Sequence, residues 1–260
     1  MQNIVKYKLK KPKLEQILPE GLVVNREWLY KQGYERYSID YFLRSKRLQQ
    51  IDRGLYRRPG PPLKWQHLIY SFQIMGKKLH VGGKSALDIQ GFAHYLKQNI
   101  KQEKITLYGE DKIPTRFSNK FIIYKEKCFK TIPKEALTVL PFGHWDWELK
   151  ISTVELALLE IIREIKNESD FIVVDRYFES VTVLNPNRIN KLLKICSHIK
   201  TKRLFMWFAK RHHHPWFNNL KIDKINLGKG KREIIKGGIL DKTYQITIPR
   251  EMAKDVSYFF

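Results

Sequence analysis

The sequence predicts an α+β protein in which an N-terminal winged helix-turn-helix precedes a larger mixed α/β C-terminal domain. Three observations predict it. Short, capped helical segments fill the first 45 residues. A β-prone stretch with a tight Asp-Arg-Gly turn follows, and "PGPP" at 59–62 breaks the chain. Beyond the break, segments of helical and of strand period are mixed. The domains therefore read as 1–62 and 63–260.

The elements follow in order. Leu14, Ile17 and Leu18 fall at helical spacing, and Pro19 stops them. Asn25 is placed as an N-cap, with Val24 and Leu29 as a hydrophobic staple. Trp28 and Leu29 then face the core, and Gly33 ends the helix. A second helix is expected to start at Ser38, with Tyr37 and Phe42 as its staple. Its inner face is Ile39, Phe42 and Leu43; its outer face is Asp40, Tyr41, Arg44 and Ser45. "LQQIDRGLYRR" reads as a β-ribbon turning at Asp52-Arg53-Gly54.

In the larger domain, "WQHLIYSFQIMG" (65–76) and "KSALDIQGFAHYL" (84–96) read as helices. "KITLYG" (104–109) and "KFIIYKEKCFKTI" (120–132) read as strands. "STVELALLEIIREI" (152–165) reads as a helix opened by a capping box from Ser152 to Glu155. "RINKLLKIC" (188–196) and "TKRLFMWFAKR" (201–211) form a helix pair, and "YQITIP" (244–249) a terminal strand.

Charge bounds the function. The 260 residues include 49 Lys and Arg against 26 Asp and Glu, a net charge of +23. Residues 1–64 carry 15 basic and 6 acidic side chains, and residues 196–260 carry 14 and 5, which is +9 at each end. The middle 131 residues hold only +5. Such an excess attracts polyanions. The two cysteines, Cys128 and Cys196, have apolar neighbours and no CxxC partner, which argues against a disulfide framework or a cysteine zinc site. No stretch reaches about 18 consecutive apolar residues. The basic start has no apolar run behind it. The expectation is a cytoplasmic protein without a membrane partner.

In a winged helix the second helix of the pair enters the major groove and the wing touches backbone. Tyr41, Arg44 and Ser45 would then face base edges, with Ser38 at the helix start. Lys46, Arg47, Arg53, Arg57 and Arg58 would serve phosphates. The plain alternative is a charged surface helix in an ordinary bundle. A second basic surface is expected from Lys200, Lys202 and Arg203, extended by Lys229, Lys231 and Arg232 of "GKGKR". Four apolar residues that follow Arg203, namely Leu204, Phe205, Trp207 and Phe208, read as core.

Other motifs carry less. "GGKSA" (82–86) lacks the first glycine of a phosphate loop, whose position is held by Lys78. It reads as a helix entry with Lys84 near its start. Glu148 and Lys150 make the E-x-K of a metal-dependent nuclease, with Asp111, Glu135 or Asp146 as the further acid. The bland reading there is a strand edge. "RHHHPW" (211–216) puts three histidines on adjacent residues, which suits a helix end better than a metal. No cofactor and no metal are expected.

These residues also resemble a known family, the AbiEi antitoxins of type IV toxin–antitoxin systems. The resemblance rests on "LPEGLVVNREWLYKQG" (18–33), "DRGLY" (52–56), "LHVGGKSALDIQGFAHYL" (79–96) and "STVELALLE" (152–160). It continues in "KTKRLFMWFA" (200–209), "PWF" (215–217), "INLGKGKR" (225–232) and "GGILDKTYQITIP" (237–249). Before the wing the family often has a small residue and Trp-Leu, where this chain has Lys46-Arg47-Leu48. The resemblance implies a non-enzymatic protein whose winged helix represses its own operon at inverted repeats in double-stranded promoter DNA. It implies a C-terminal domain that counteracts an AbiEii-type nucleotidyltransferase toxin without a stable complex. Two other readings remain open: a nuclease using Glu148 and Lys150, and a protein-binding module whose winged helix no longer binds DNA.

Overall fold

Leu14 and Leu18 are buried from the short helix α1 (Leu14–Ile17), and Pro19 ends it as the sequence predicts. The structure is a computed structural model that describes residues 13–92, 104–125, 128–143 and 146–254. Strand β1 (Val23–Asn25) runs directly into α2 (Arg26–Lys31), because the Asn25 carboxamide accepts the Trp28 N–H at 2.8 Å. Val24 and Leu29 are both fully buried, as a staple requires. Gly33 closes the helix at φ +85, and the Tyr34 N–H donates to the Leu29 carbonyl at 3.1 Å. That is a Schellman turn, for which glycine is suited.

Helix α3 (Arg36–Arg44) begins earlier than expected. Glu35 holds the N-cap position, so Ser38 lies inside the first turn and is not the cap. Tyr37 is 65% exposed, so it does not hold the buried staple position. The reason is the preceding turn, which buries Tyr34 edge-on against Phe42 at 5.5 Å between ring centroids. Tyr34 fills the place that the sequence suggested for Tyr37. The expected inner face holds: Ile39 and Phe42 are buried and Leu43 packs beside them.

Strands β2 (Gln49–Asp52) and β3 (Leu55–Arg57) form the ribbon, turning at Gly54 with φ +73. Strand β1 pairs antiparallel with β3, Val24 opposite Tyr56, which makes a three-stranded sheet in the order β1-β3-β2. Helix α4 (Trp65–Ile74) follows the proline break. Its Ser71 hydroxyl accepts the Val23 N–H at 2.8 Å and donates to the His67 carbonyl at 2.6 Å.

The first of two compact units extends to Lys78 and takes in Ile113–Ser118 and Pro141–Leu149. Trp147 joins its apolar core, with the Tyr70 ring stacked on it at 4.8 Å.

The second unit holds Leu79–Lys112, Asn119–Leu140 and the chain from Lys150. It holds the sheet strands β4 (Leu79–Val81), β5 (Ile105–Gly109) and β6 (Phe121–Tyr124), with residues 137–140 of β7 (Leu137–Phe142) and 150–152 of β8 (Trp147–Ser152). The order is β6-β5-β4-β8-β7, so β8 is interior and not an edge. Helix α5 (Gly83–Ile89) follows β4 and stops short of the predicted end; residues 93–96 of that prediction lie outside the described residues. The strand predicted over 120–132 ends at Tyr124. Cys128 and Phe129 go into the core instead, and the Cys128 carbonyl accepts the Ser197 N–H at 2.8 Å.

Helices α6 (Val154–Arg163), α7 (Glu168–Ser180), α8 (Pro186–Ile195) and α9 (Ile199–Arg211) build the main core. The sequence reading did not place α7; Asn167 caps it by accepting the Asp170 N–H at 2.9 Å. The Phe171, Phe178, Phe205 and Phe208 rings are fully buried and pack together, with Phe171 and Phe208 centroids 4.7 Å apart. Each such pair adds about 0.5–1.5 kcal/mol beyond burial. Strands β9 (Ile239–Asp241) and β10 (Ile246–Ile248) form a hairpin, and α10 (Arg250–Lys254) follows the strand expected to be terminal.

The capping box of α6 does not form. Thr153 is at the N-cap, Ser152 donates instead to the Glu160 carboxylate, and Glu155 accepts from Arg188 and from the Asn185 N–H.

Candidate nucleic-acid interface

The outer face of α3 carries Tyr37, Tyr41, Arg44 and Ser45, spaced to share one side of a helix. Tyr41 is 55% exposed, and Arg44 and Ser45 are exposed at the helix end. Arg44 makes no hydrogen bond among the described residues. Tyr37 is the residue that the sequence reading missed. Its spacing from Tyr41 and Arg44, four and seven residues, was the available signal, hidden by the expected start at Ser38. Ser38 itself is half-buried.

Asp40 sits on the flank of this face and is already matched. Arg26 donates to it at 2.7 Å and Arg36 stands at 3.8 Å. The hydrogen bond from Arg26, aided by the charges of Arg26, Arg36 and Arg44, holds the Asp40 carboxyl below its usual range. Arg26 also donates to the Tyr56 hydroxyl at 3.1 Å, which ties α2, α3 and β3 together.

The expected phosphate-facing cations divide. Arg53 is exposed at the tip of the ribbon, where its N–H donates to the Asp52 carboxylate at 2.7 Å. Lys46 is exposed just past α3, at φ +57. Arg47 pairs with Glu15 at 2.8 Å and lies over the Phe42 ring at 4.7 Å. Arg57 donates to the carbonyls of Pro61 (2.8 Å) and Gly60 (3.2 Å), so it clamps the proline break. Arg58 is half-buried and directed at the Leu18 carbonyl. Beside them, Gln49 and Gln50 are exposed on β2, and Arg116 donates to the Ile51 carbonyl of the ribbon.

The second basic surface needs correction. Lys202 and Arg203 are 4% and 3% exposed. Lys202 donates to the Asn226 carbonyl at 3.2 Å. Arg203 donates to the carbonyls of Leu227 (2.6 Å), Gly230 (2.6 Å) and Gln245 (3.2 Å). Burial, then the nearby Arg232 charge, pushes the Arg203 pKa down. Lys200 is half-buried against the Ile165 carbonyl at 3.0 Å, and burial lowers its pKa. Lys229, Lys231 and Arg232 remain exposed.

The other motifs resolve locally. In α5 the Gly83 N–H donates to the Glu160 carboxylate at 2.7 Å, so a protein carboxylate occupies the helix start that a phosphate loop would offer to a nucleotide. Glu148 and Lys150 both face outward on β8. His212 is hydrogen bonded to Asp175 at 2.8 Å, and His214 to the Phe178 carbonyl at 2.6 Å. Among the described residues no three of His, Cys, Asp and Glu are grouped to hold a metal ion. None of the helices described is long and apolar enough to cross a membrane.

Two family models match the chain. Residues 7–98 match the AbiEi antitoxin N-terminal domain of a transcriptional regulator family. Residues 102–249 match the transcriptional regulator, AbiEi antitoxin, of type IV toxin–antitoxin systems. The chain belongs to the AbiEi family. No curated protein matches it at a significant level. The crystal structure of the RV2827C protein from Mycobacterium tuberculosis is similar over 90% of this chain and 89% of its own, with a TM-score of 0.53 and 13% identity. That likeness concerns the α+β fold.

Two AbiEi segments named above prove to be partners in the interior. His80, Gly82 and Gly83 of the first meet Ser152 and Glu160 of the second: His80 Nε2 lies 2.8 Å from Glu160, and Ser152 donates to the same carboxylate at 2.9 Å. A Cβ on Gly82 would stand 2.4 Å from Glu160 Oε2, which explains the glycine. The later AbiEi segments are joined through Arg203, whose guanidinium links "KTKRLF", "LGKG" and Gln245 of "YQITIP".

Proposed function

We propose that this AbiEi protein is a non-enzymatic antitoxin that represses its own operon by binding inverted repeats in promoter DNA through its winged helix, residues 1–62. In this reading the domain at 63–260 counteracts a nucleotidyltransferase toxin without a stable complex. The observation that carries it is the outer face of α3: an arginine with no hydrogen bond among the described residues beside two exposed tyrosines, on the second helix of the pair and next to a ribbon tipped by Arg53. Arg44 can bind guanine through two hydrogen bonds, and Tyr37 and Tyr41 fill the groove around it. Arg53 and Lys46 supply backbone affinity, while Arg47, Arg57 and Arg58 chiefly hold the domain together. Lys229, Lys231 and Arg232 form the second basic face.

The test is fluorescence anisotropy of the full chain on upstream promoter DNA and on shuffled DNA at several salt concentrations. Arg44→Ala should narrow the gap between the two DNAs by about 1–3 kcal/mol. Arg53→Ala should weaken both equally and reduce the salt slope by about one. Equal losses on both DNAs from both variants would remove this division of roles. A wild-type chain without preference for promoter DNA would remove the autorepressor reading itself.

A further inference from the structure

Arg53 stands at the tip of a ribbon whose strands are short. Strand β2 has four residues and lies at the edge of its sheet, paired with β3 alone among the described strands. That pairing is interrupted. Gln50 stands opposite Tyr56 and Asp52 opposite Leu55, so Ile51 is the extra residue of a β-bulge, two places before Arg53. A bulge leaves its extra residue outside the ladder, bends the strand and re-aims the side chains beyond it. The direction of the ribbon tip is therefore decided at Ile51, where the ladder alone does not fix it.

A later segment of the chain reaches that point. Thr115–Lys120 is a 3₁₀ turn, and Ile113–Ser118 belong to the same compact unit as the ribbon. The Phe117 N–H donates to the Pro114 carbonyl at 3.0 Å, which closes the turn. Phe117 is buried, with its ring 6.3 Å from that of Phe72 in α4. The turn is thus anchored in the core one residue away from Arg116. Arg116 itself is exposed, and its guanidinium donates to the Ile51 carbonyl. It makes no other hydrogen bond among the described residues.

Resting on the reading of the winged helix as the DNA-binding element, we infer that Arg116 is a positioning residue for the wing. It holds the bulged residue from an anchored turn, and so fixes where Arg53 meets a DNA phosphate. It makes no phosphate contact of its own. The part of the protein that reads DNA then extends past the proline break, to a residue more than fifty positions beyond the ribbon.

The experiment uses the full chain and two measurements. The first is anisotropy on promoter DNA and on shuffled DNA across salt, for wild type, Arg53→Ala, Arg116→Ala and the double variant. One lost phosphate contact lowers the salt slope by about one. Each single variant should lower it by about one, and the double variant also by about one, because both changes remove the same contact. A loss of about two in the double variant overturns the inference, since Arg116 would then be a separate phosphate contact. So does an unchanged slope in either single variant. The second measurement is amide exchange without DNA, read by mass spectrometry. Arg116→Ala should speed exchange over residues 49–57 and leave α4 protected. Unchanged exchange there, or loss of protection in α4 as well, overturns the inference whether or not the chain binds DNA. A wild-type chain that binds neither DNA removes the DNA reading, and the inference falls with it.

Discussion

His67 and His198 are half-buried imidazoles whose Nδ1 atoms take part in hydrogen bonds at helix starts. His67 Nδ1 accepts the Lys64 N–H at 3.0 Å at the start of α4. His198 Nδ1 lies 2.8 Å from the Thr201 hydroxyl at the start of α9. Burial, then the charges of Lys64 and Arg57, hold the His67 pKa below its ordinary value. Burial, then Arg163 and Lys200, do the same for His198. The folded values lie below an unfolded value of about 6.5. Their contribution is thus complete above that pH and is lost as the pH falls through it toward the folded values. The carboxyls held low, Glu15, Asp40 and Glu135, act only in a more acidic range. Stability measured by urea unfolding should therefore decline between about pH 7 and pH 5. His67→Gln with His198→Gln should flatten the decline, and an unchanged slope in the double variant would assign it elsewhere.

At the scale of elements, what local rules govern was legible in the sequence. The Asn25 cap, the Gly33 turn, the Gly54 ribbon turn and the inner face of α3 all depend on neighbours within a few residues. What was not legible depends on distant partners. Ser152 and Glu155 have the spacing of a capping box, but Glu160 and Arg188 claim them. Three residues of β1 are too few to show alternation, and only β3 makes them a strand. Lys202 and Arg203 look like surface cations until the 226–230 loop folds over them and offers its carbonyls. Arg203 thereby shapes the loop that displays Lys229, Lys231 and Arg232. Arg203→Met should speed amide exchange in that loop and leave α7 protected, as read by mass spectrometry. Equal exchange in wild type and variant would show that the loop holds itself.

At the scale of the whole molecule, charge was legible as a quantity and less so as a surface. The two basic ends were plain from counting, yet part of the C-terminal excess lies inside the fold. The proline break at 59–62 was also plain, but the first compact unit continues through α4 and gathers two later stretches. Phe117 lies near Phe72, with centroids 6.3 Å apart, and Phe142 and Trp147 pack on Tyr70. A fragment ending at Lys78 lacks all three of these later aromatic residues. It should melt gradually by circular dichroism where the full chain melts cooperatively; a sharp transition at the full-chain midpoint would mean they are dispensable.

The stacking of Trp147 on Tyr70 also sets a clock. A ribosome releases the chain from its N-terminus, and domains fold as their residues emerge. Helix α3 and its ribbon come out early, but the wall behind α4 is missing until Trp147 has cleared the exit tunnel. An unfinished polypeptide carries every residue proposed to touch promoter DNA and still lacks the backing that holds them in register. On the proposed reading, silencing of the operon would then have to wait until Trp147 has emerged.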